Sequence, residues 1–532
     1  MRGRVSLILG LALLSGQACW PGQPPPAKGK SKEKEKAVDK DKEAVPEAEK
    51  ALLRATRRVQ KIYLDDIEKI ASWAATNGLK EDAERLLATM VKVDPEYPAI
   101  KKLQAAVAKV EPQDDAKKLA DLKQTFSRRV DAVNEKHARR LFDLATNCMK
   151  VGLFTRAYHL VKSVLDFDPD HRRAREVLSY AWDSTTRTWI TKWEAEMKKK
   201  NVLTDEGWVK KEDKKKWDQG KREYEGKWIP KDEEERLRKR NNYNPFRVET
   251  EHFQVLTNLG RPRALEFGLR LEDFYRQFFE FFIGFYDQVA GAKLLFNQAK
   301  VKAKHKVFLF PSRVDYLDFV RAEKGNNELL VRSAGFWDGA DRCSYFYWTE
   351  NPAETLNTLY HEVTHQLFGE TKETSGQSSG NTWIVEGIAV YMETWAKVDG
   401  RWRPGYRIDA QEMGVARAVL SQNPDWSLAR FVAQGHKEFH DPKVRGANYA
   451  LAGALAHFFL HYDEEIYREH FILLLRDHYA GKLKGDSLET YIRPEGAAVP
   501  EALIEKQFKE YMGQLKRPGS EADAPAEAAK TK

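Results

Sequence analysis

Apolar residues return every three to four positions along some stretches of the chain and every second position along others, and these two periods predict helix and strand respectively. From about 51 to 185 the helical period dominates. "HFQVLTN" at 252–258 alternates as a half-buried strand does, and "KVFLFP" at 306–311 and "CSYFYW" at 343–348 also read as strands, with a loop expected around Gly325 to Asn327. From about Pro262 to Val289 a long helix is expected, with Phe274, Phe278, Phe281, Phe282 and Phe285 on its apolar face. A core-facing stripe accounts for those rings without any ligand. The expected fold class is α+β and mainly helical, with helical hairpins first and a small mixed sheet with further helices after them.

The leading helical stretch repeats itself. Sliding the chain along itself places Ala71, Gly78, Ala83, Asp94 and Pro95 over Ala145, Gly152, Ala157, Asp168 and Pro169. Small residues at these spacings let two antiparallel helices approach closely, and Asp-Pro ends the second of them. "GLKEDAERLLATMVKVDPEY" and "GLFTRAYHLVKSVLDFDPDH" resemble tetratricopeptide-type hairpins, here separated by a charged helix around 113–136. Such a unit either binds a protein partner on a concave face or acts as a helical spacer. Beyond it, residues 186–245 are crowded with Lys, Asp and Glu and punctuated by Trp208, Trp217 and Trp228 beside Gly207, Gly220 and Gly226. Aromatics among bases suggest a nucleic-acid groove, but the abundant acids favour a solvated linker module.

Composition alters the picture mainly at the ends. Arg2 and Arg4 precede an apolar run from Val5 to Leu14, so residues 1–18 read as a signal peptide and the protein as exported, periplasmic or extracellular. Cys19 follows Ala18, and a lipid anchor there is the alternative to simple cleavage. Residues 19–50 form a charged, disordered tether and 516–532 a similar tail. No later run is long enough to span a bilayer, so no integral span is expected in the mature chain. The net charge of +9 is a small excess of 89 bases over 80 acids, which argues against nucleic acid as a partner. Cys148 and Cys343 lack ligand-spaced neighbours and read as buried thiols.

The chemistry concentrates in "NPAETLNTLYHEVTHQLF" at 351–368. Asn351 suits an N-cap, Pro352 the first helical position and Glu354 the capping-box partner, while Leu356, Leu359, Tyr360, Val363 and Leu367 trace a buried stripe. His361 and His365 stand one turn apart away from that stripe, as two ligands of one metal ion must. Glu362 lies one step round the helix, where a carboxylate can take a proton from water instead of ligating. In "NTWIVEGIAVYMETW" at 381–395, Glu386 is an isolated acid in an apolar run, costly to bury unless paired or bound to metal, and is the expected third ligand. Glu393 is its competitor, with a solvated or supporting position as the alternative.

"HEVTH" followed by "WIVEGIAVY" resembles the gluzincin clan of zinc peptidases, and most of all its exported peptidase-MA-like families, over roughly residues 246–515. The resemblance implies Zn2+ on His361, His365 and Glu386, Glu362 as general base, and a peptide or protein substrate laid along "CSYFYW" as an edge strand. It also implies a donor to the oxyanion from well beyond the third ligand, for which Tyr449 in "NYALAGALAHFFLHY" is the candidate and His457 the runner-up. One departure stands out: thermolysin-type members carry Asn before the third ligand and Asp four residues after it, where this chain has Val385 and Val390. Two other readings are open, a partner-binding scaffold with little turnover and a zinc hydrolase acting on a non-peptide amide or ester.

Overall fold

The computed structural model describes residues 47–515 except 151–152, 240–243, 287–302, 326, 371–380, 399–400, 408–410, 464, 484–487 and 495–496. The expected signal peptide, most of the tether, Cys19, the tail, Gly152 and part of the loop at 325–327 therefore lie outside the described residues. Helix already begins at Glu47, inside the stretch expected to be tether. The chain is α+β, mainly helical with small sheets, and divides into two compact units, one running to Lys192 and the other from Trp193 onward, leaving aside residues outside the described set.

The first unit contains six helices among the described residues: α1 (Glu47–Thr76), α2 (Lys80–Val93), α3 (Ile100–Val107), α4 (Ala116–Lys150), α5 (Phe154–Phe167) and α6 (Arg172–Val177). α1 pairs with α2, and α4 with α5. The caps of α2 and α5 match: Leu79 and Leu153 precede them at φ −88° and −85°, and the Asp94 and Asp168 N–H groups close their ends. The charged helix expected around 113–136 is not a separate element but the first half of α4, because no Gly or Pro interrupts 116–150 and Phe126, Asn134, His137, Ala138 and Leu141 continue one buried face.

Next come three successive hairpins that the sequence reading missed: β1/β2 (Tyr180–Asp183, Thr188–Thr191), β3/β4 (Asn201–Thr204, Gly207–Lys210) and β5/β6 (Lys221–Tyr224, Lys227–Pro230). Each is followed by a short helix, α7 (Lys192–Lys200), α8 (Lys214–Asp218) and α9 (Lys231–Arg238). The returning strands carry Trp189-Ile190, Trp208-Val209 and Trp228-Ile229 at the same register. An equivalent backbone bond closes each hairpin: Lys192 N–H to Ser179 O, Lys211 N–H to Lys200 O and Lys231 N–H to Gly220 O, all at 2.9 Å.

A five-stranded mixed sheet follows, in the order β10-β11-β9-β8-β7, with β7 at Phe246–Glu249, β8 at Phe253–Thr257, β9 at His305–Phe310, β10 at Gly335–Asp338 and β11 at Cys343–Tyr347. β9 lies parallel to both β8 and β11, and the outer pairs are antiparallel. "CSYFYW" is thus not an edge. The edges are β7 and β10, and the "GFWD" of β10 was too brief to register as a period. Helix α10 (Arg261–Phe281) packs on β7 and β8, with Phe267, Leu271, Phe274 and Phe278 buried along it, and the aromatic stripe resumes in α11 (Ile283–Tyr286). α12 (Arg313–Glu323) and α13 (Glu328–Arg332) lead to β10, and the remaining elements build the wall around the site.

Candidate metal centre

α14 (Pro352–Gly369) carries the paired imidazoles. The Asn351 side chain accepts a hydrogen bond from the Ala353 N–H and donates one to Glu354 at 3.1 Å, so the expected N-cap forms, with Glu354 meeting the Asn351 amide instead of its backbone N–H as a capping box would. Leu359, Val363 and Leu367 are buried, with Leu356 and Tyr360 packed beside them; the Tyr360 ring stacks on Phe274 at 4.9 Å. With that face held in the core, His361 and His365 turn into a cleft of about 1870 Å³.

Glu386 arrives from α15 (Thr382–Met392), which packs against α19 (Arg445–His461). The approach is close because residue 387 is glycine: a Cβ there would lie 2.5 Å from the Ala452 carbonyl oxygen. Glu386 Oε2 stands 3.3 Å from His361 Nε2 and 3.6 Å from His365 Nε2. Charge-assisted hydrogen bonds are shorter, about 2.7–2.9 Å. Ligands about 2.1 Å from a tetrahedral zinc are separated by about 3.4 Å, and both carboxylate–imidazole separations are near that value. Two imidazoles and one carboxylate, all within 4.8 Å of one another, suit zinc by chemistry as well as by spacing.

Glu393, one residue past α15, places Oε1 at 2.8 Å from His361 Nδ1. It holds His361 from behind, favouring the tautomer that leaves Nε2 free to take a metal ion. Sequence held the signal: Glu393 is seven residues, or two turns, beyond Glu386 and shares its helix face. With only protein charges around it, His361 is held well above its ordinary pKa: burial opposes the charge, but the neighbouring Glu386 and Glu393 carboxylates outweigh it.

Glu362 is 8% exposed, and burial raises its pKa against the pull of the two imidazoles. Its carboxylate accepts a hydrogen bond from the Trp337 N–H on β10, which aims it toward the cleft. Tyr449, on α19, lies over His361 with ring planes 13° apart. Its hydroxyl bonds to Glu386 and stands 3.4 Å from His440 Nδ1; burial, then the Glu386 charge, keeps the phenol protonated. His457 is elsewhere: Nε2 lies 2.9 Å from Gly405 O and Nδ1 2.7 Å from the Tyr511 hydroxyl, so both nitrogens are committed to the core. The runner-up is thereby removed. Trp337, His440 and Arg445 line the cleft without having been anticipated; nothing in their spacing marks them, because they come from β10, the loop after α18 (His436–Phe439) and α19.

A second candidate group, Glu251, His252 and Glu272, is also within ligand distance. There the Glu272 carboxylate already accepts from Thr250 Oγ1, His252 N and His252 Nδ1 at 2.6–2.7 Å, which ties α10 to the β7–β8 turn. Among the described residues no helix is long and apolar enough to cross a membrane.

A family model described as "protein of unknown function (DUF1570)" matches residues 355–477, a minority of the chain. No curated protein and no solved structure matches. The matched segment holds both histidines, Glu362, Glu386, Glu393 and Tyr449, so the similarity to that family falls on the candidate metal centre.

Proposed function

We propose that this chain is a zinc-dependent peptidase of the gluzincin kind, with His361, His365 and Glu386 as ligands. The observation that carries the reading is the separation of the three donor atoms, 3.3 and 3.6 Å from the carboxylate, beside a buried glutamate that ligates nothing. Bound zinc would polarise the scissile carbonyl and acidify the attacking water. Glu362 takes the proton that this water gives up and passes it to the leaving amine as the C–N bond breaks. The Tyr449 hydroxyl donates a hydrogen bond to the oxygen on which negative charge develops, a role that suits a phenol held neutral. Water is thus divided between a new carboxylate and a new amine, with no other reactant. A cleft of about 1870 Å³ exceeds the roughly 300–1,000 Å³ typical of small-molecule sites and favours a polymeric substrate.

The matched caps of α2 and α5 support tetratricopeptide-like hairpins in the first unit, with a protein partner as the natural occupant. The test of the peptidase reading is Glu362→Gln. Hydrolysis of a casein or mixed-peptide substrate should fall roughly 10²- to 10⁴-fold while metal content, measured by mass spectrometry, stays near one zinc per chain. Unchanged hydrolysis would remove Glu362 from the mechanism and the reading with it.

A further inference from the structure

Three arginines line the cleft, and they differ in what they hold. Arg342 donates to Glu370 at 2.8 Å, and Arg332 faces Glu328 at 3.7 Å. Arg445 faces the same space with its guanidinium uncommitted: among the described residues no carboxylate lies within ion-pair distance of it. It is half-buried, not splayed into solvent. It also stands one turn before Tyr449 on α19, on the same helix face, and its positive charge is felt at both the Tyr449 hydroxyl and the His440 imidazole. Neighbours four apart on a helix have Cβ atoms about 5–6 Å apart, and an extended peptide advances about 3.3 Å per residue. The guanidinium therefore reaches substrate atoms one to three residues from the bond held beside Tyr449.

We propose that Arg445 is a specificity residue that binds a carboxylate of the substrate, either the C-terminal carboxylate or an acidic side chain, one to three residues from the scissile bond. The inference rests on the peptidase reading for the position of that bond, but not for the binding itself. A guanidinium presents a planar fork that matches a carboxylate with two parallel hydrogen bonds, which a lysine ammonium cannot reproduce. Glu362, Glu386, Glu393 and Glu412 make the cleft rich in acids. Among the described residues, Arg445 is the cleft arginine that no carboxylate neutralises, so an anionic group of the substrate can settle on it.

The test measures the binding of fluorescent hexapeptides to the full-length Glu362→Gln protein, which should bind without turning over. One peptide has a free C-terminus, a second is amidated, and a third is amidated with a single internal Glu in place of Gln. A carboxylate-bearing peptide should bind roughly fivefold more tightly than the amidated one, the gain expected of a half-exposed ion pair. Arg445→Ala should abolish the gap, and Arg445→Lys should keep only part of it. Preference for the first peptide identifies a terminal carboxylate, and preference for the third an acidic side chain. Equal binding of all three, or a gap that survives Arg445→Ala, overturns the assignment. If the unsubstituted protein cleaves no peptide yet the Arg445-dependent gap remains, the peptidase reading falls and the carboxylate site stands. Cleavage of all three peptides without preference has the opposite meaning.

Discussion

The behaviour of single residues at the candidate metal centre turns on what stands behind each donor. His361 is gripped through Nδ1 by Glu393 at 2.8 Å, a contact that aims the imidazole and increases its basicity. Glu393→Gln keeps the shape and weakens the acceptor, so zinc affinity, measured by competition with a chromophoric chelator, should fall roughly 10- to 100-fold. Glu386→Ala takes away a donor outright and should leave the purified protein with little or no bound zinc. If Glu393→Gln binds zinc as tightly as the native chain, His361 does not need the carboxylate behind it.

Among elements, α15 and α19 pack with little space between them. Gly387 touches the Ala452 backbone, and Gly453 opposite meets the Val390 side chain. A methyl group at 387 must push the two helices apart, at a cost of roughly 1–3 kcal/mol for overpacking, and must move Glu386 next to it. Gly387→Ala should therefore lower both the urea midpoint and the zinc content, whereas Gly414→Ala, at an exposed helical position with open space around its Cβ position, should leave zinc content unchanged and raise the midpoint slightly. The helices that carry the metal-facing residues were legible in sequence because cap, period and buried stripe agree over 351–368 and because an isolated acid in an apolar helix demands a partner. The hairpins at 180–230 were not, since each strand is only four residues long and a period of two needs more length to show; the repeated Trp-Ile and Trp-Val pairs were the available signal. β10 escaped for the same reason. Tyr449 was found through resemblance, whereas His440 and Arg445 reach the cleft by tertiary folding that no local spacing encodes.

At the scale of the whole molecule, acid is the expected weakness. Burial holds His457 and His478 at about 4 and His137 at about 3, against an ordinary value of 6.5. A histidine whose folded pKa is lowered binds fewer protons folded than unfolded, so stability is full above pH 6.5 and drains away as pH falls toward the folded pKa. For His457 alone, moving from pH 7 to pH 5 costs about 2 kcal/mol. Urea midpoints should drop over that interval in both units, and His457→Gln should reduce the drop in the second. Midpoints that stay level from pH 7 to 5 would contradict buried neutral histidines. Heat acts through a different seam. Glu386 sits beside a contact with no room even for a methyl group, so, on the proposed reading, α15 could not leave α19 and still hold a cation. On a temperature ramp, release of zinc to an indicator dye and the loss of helical ellipticity from this part of the chain should coincide in one step, which would make the ion a built-in reporter of melting.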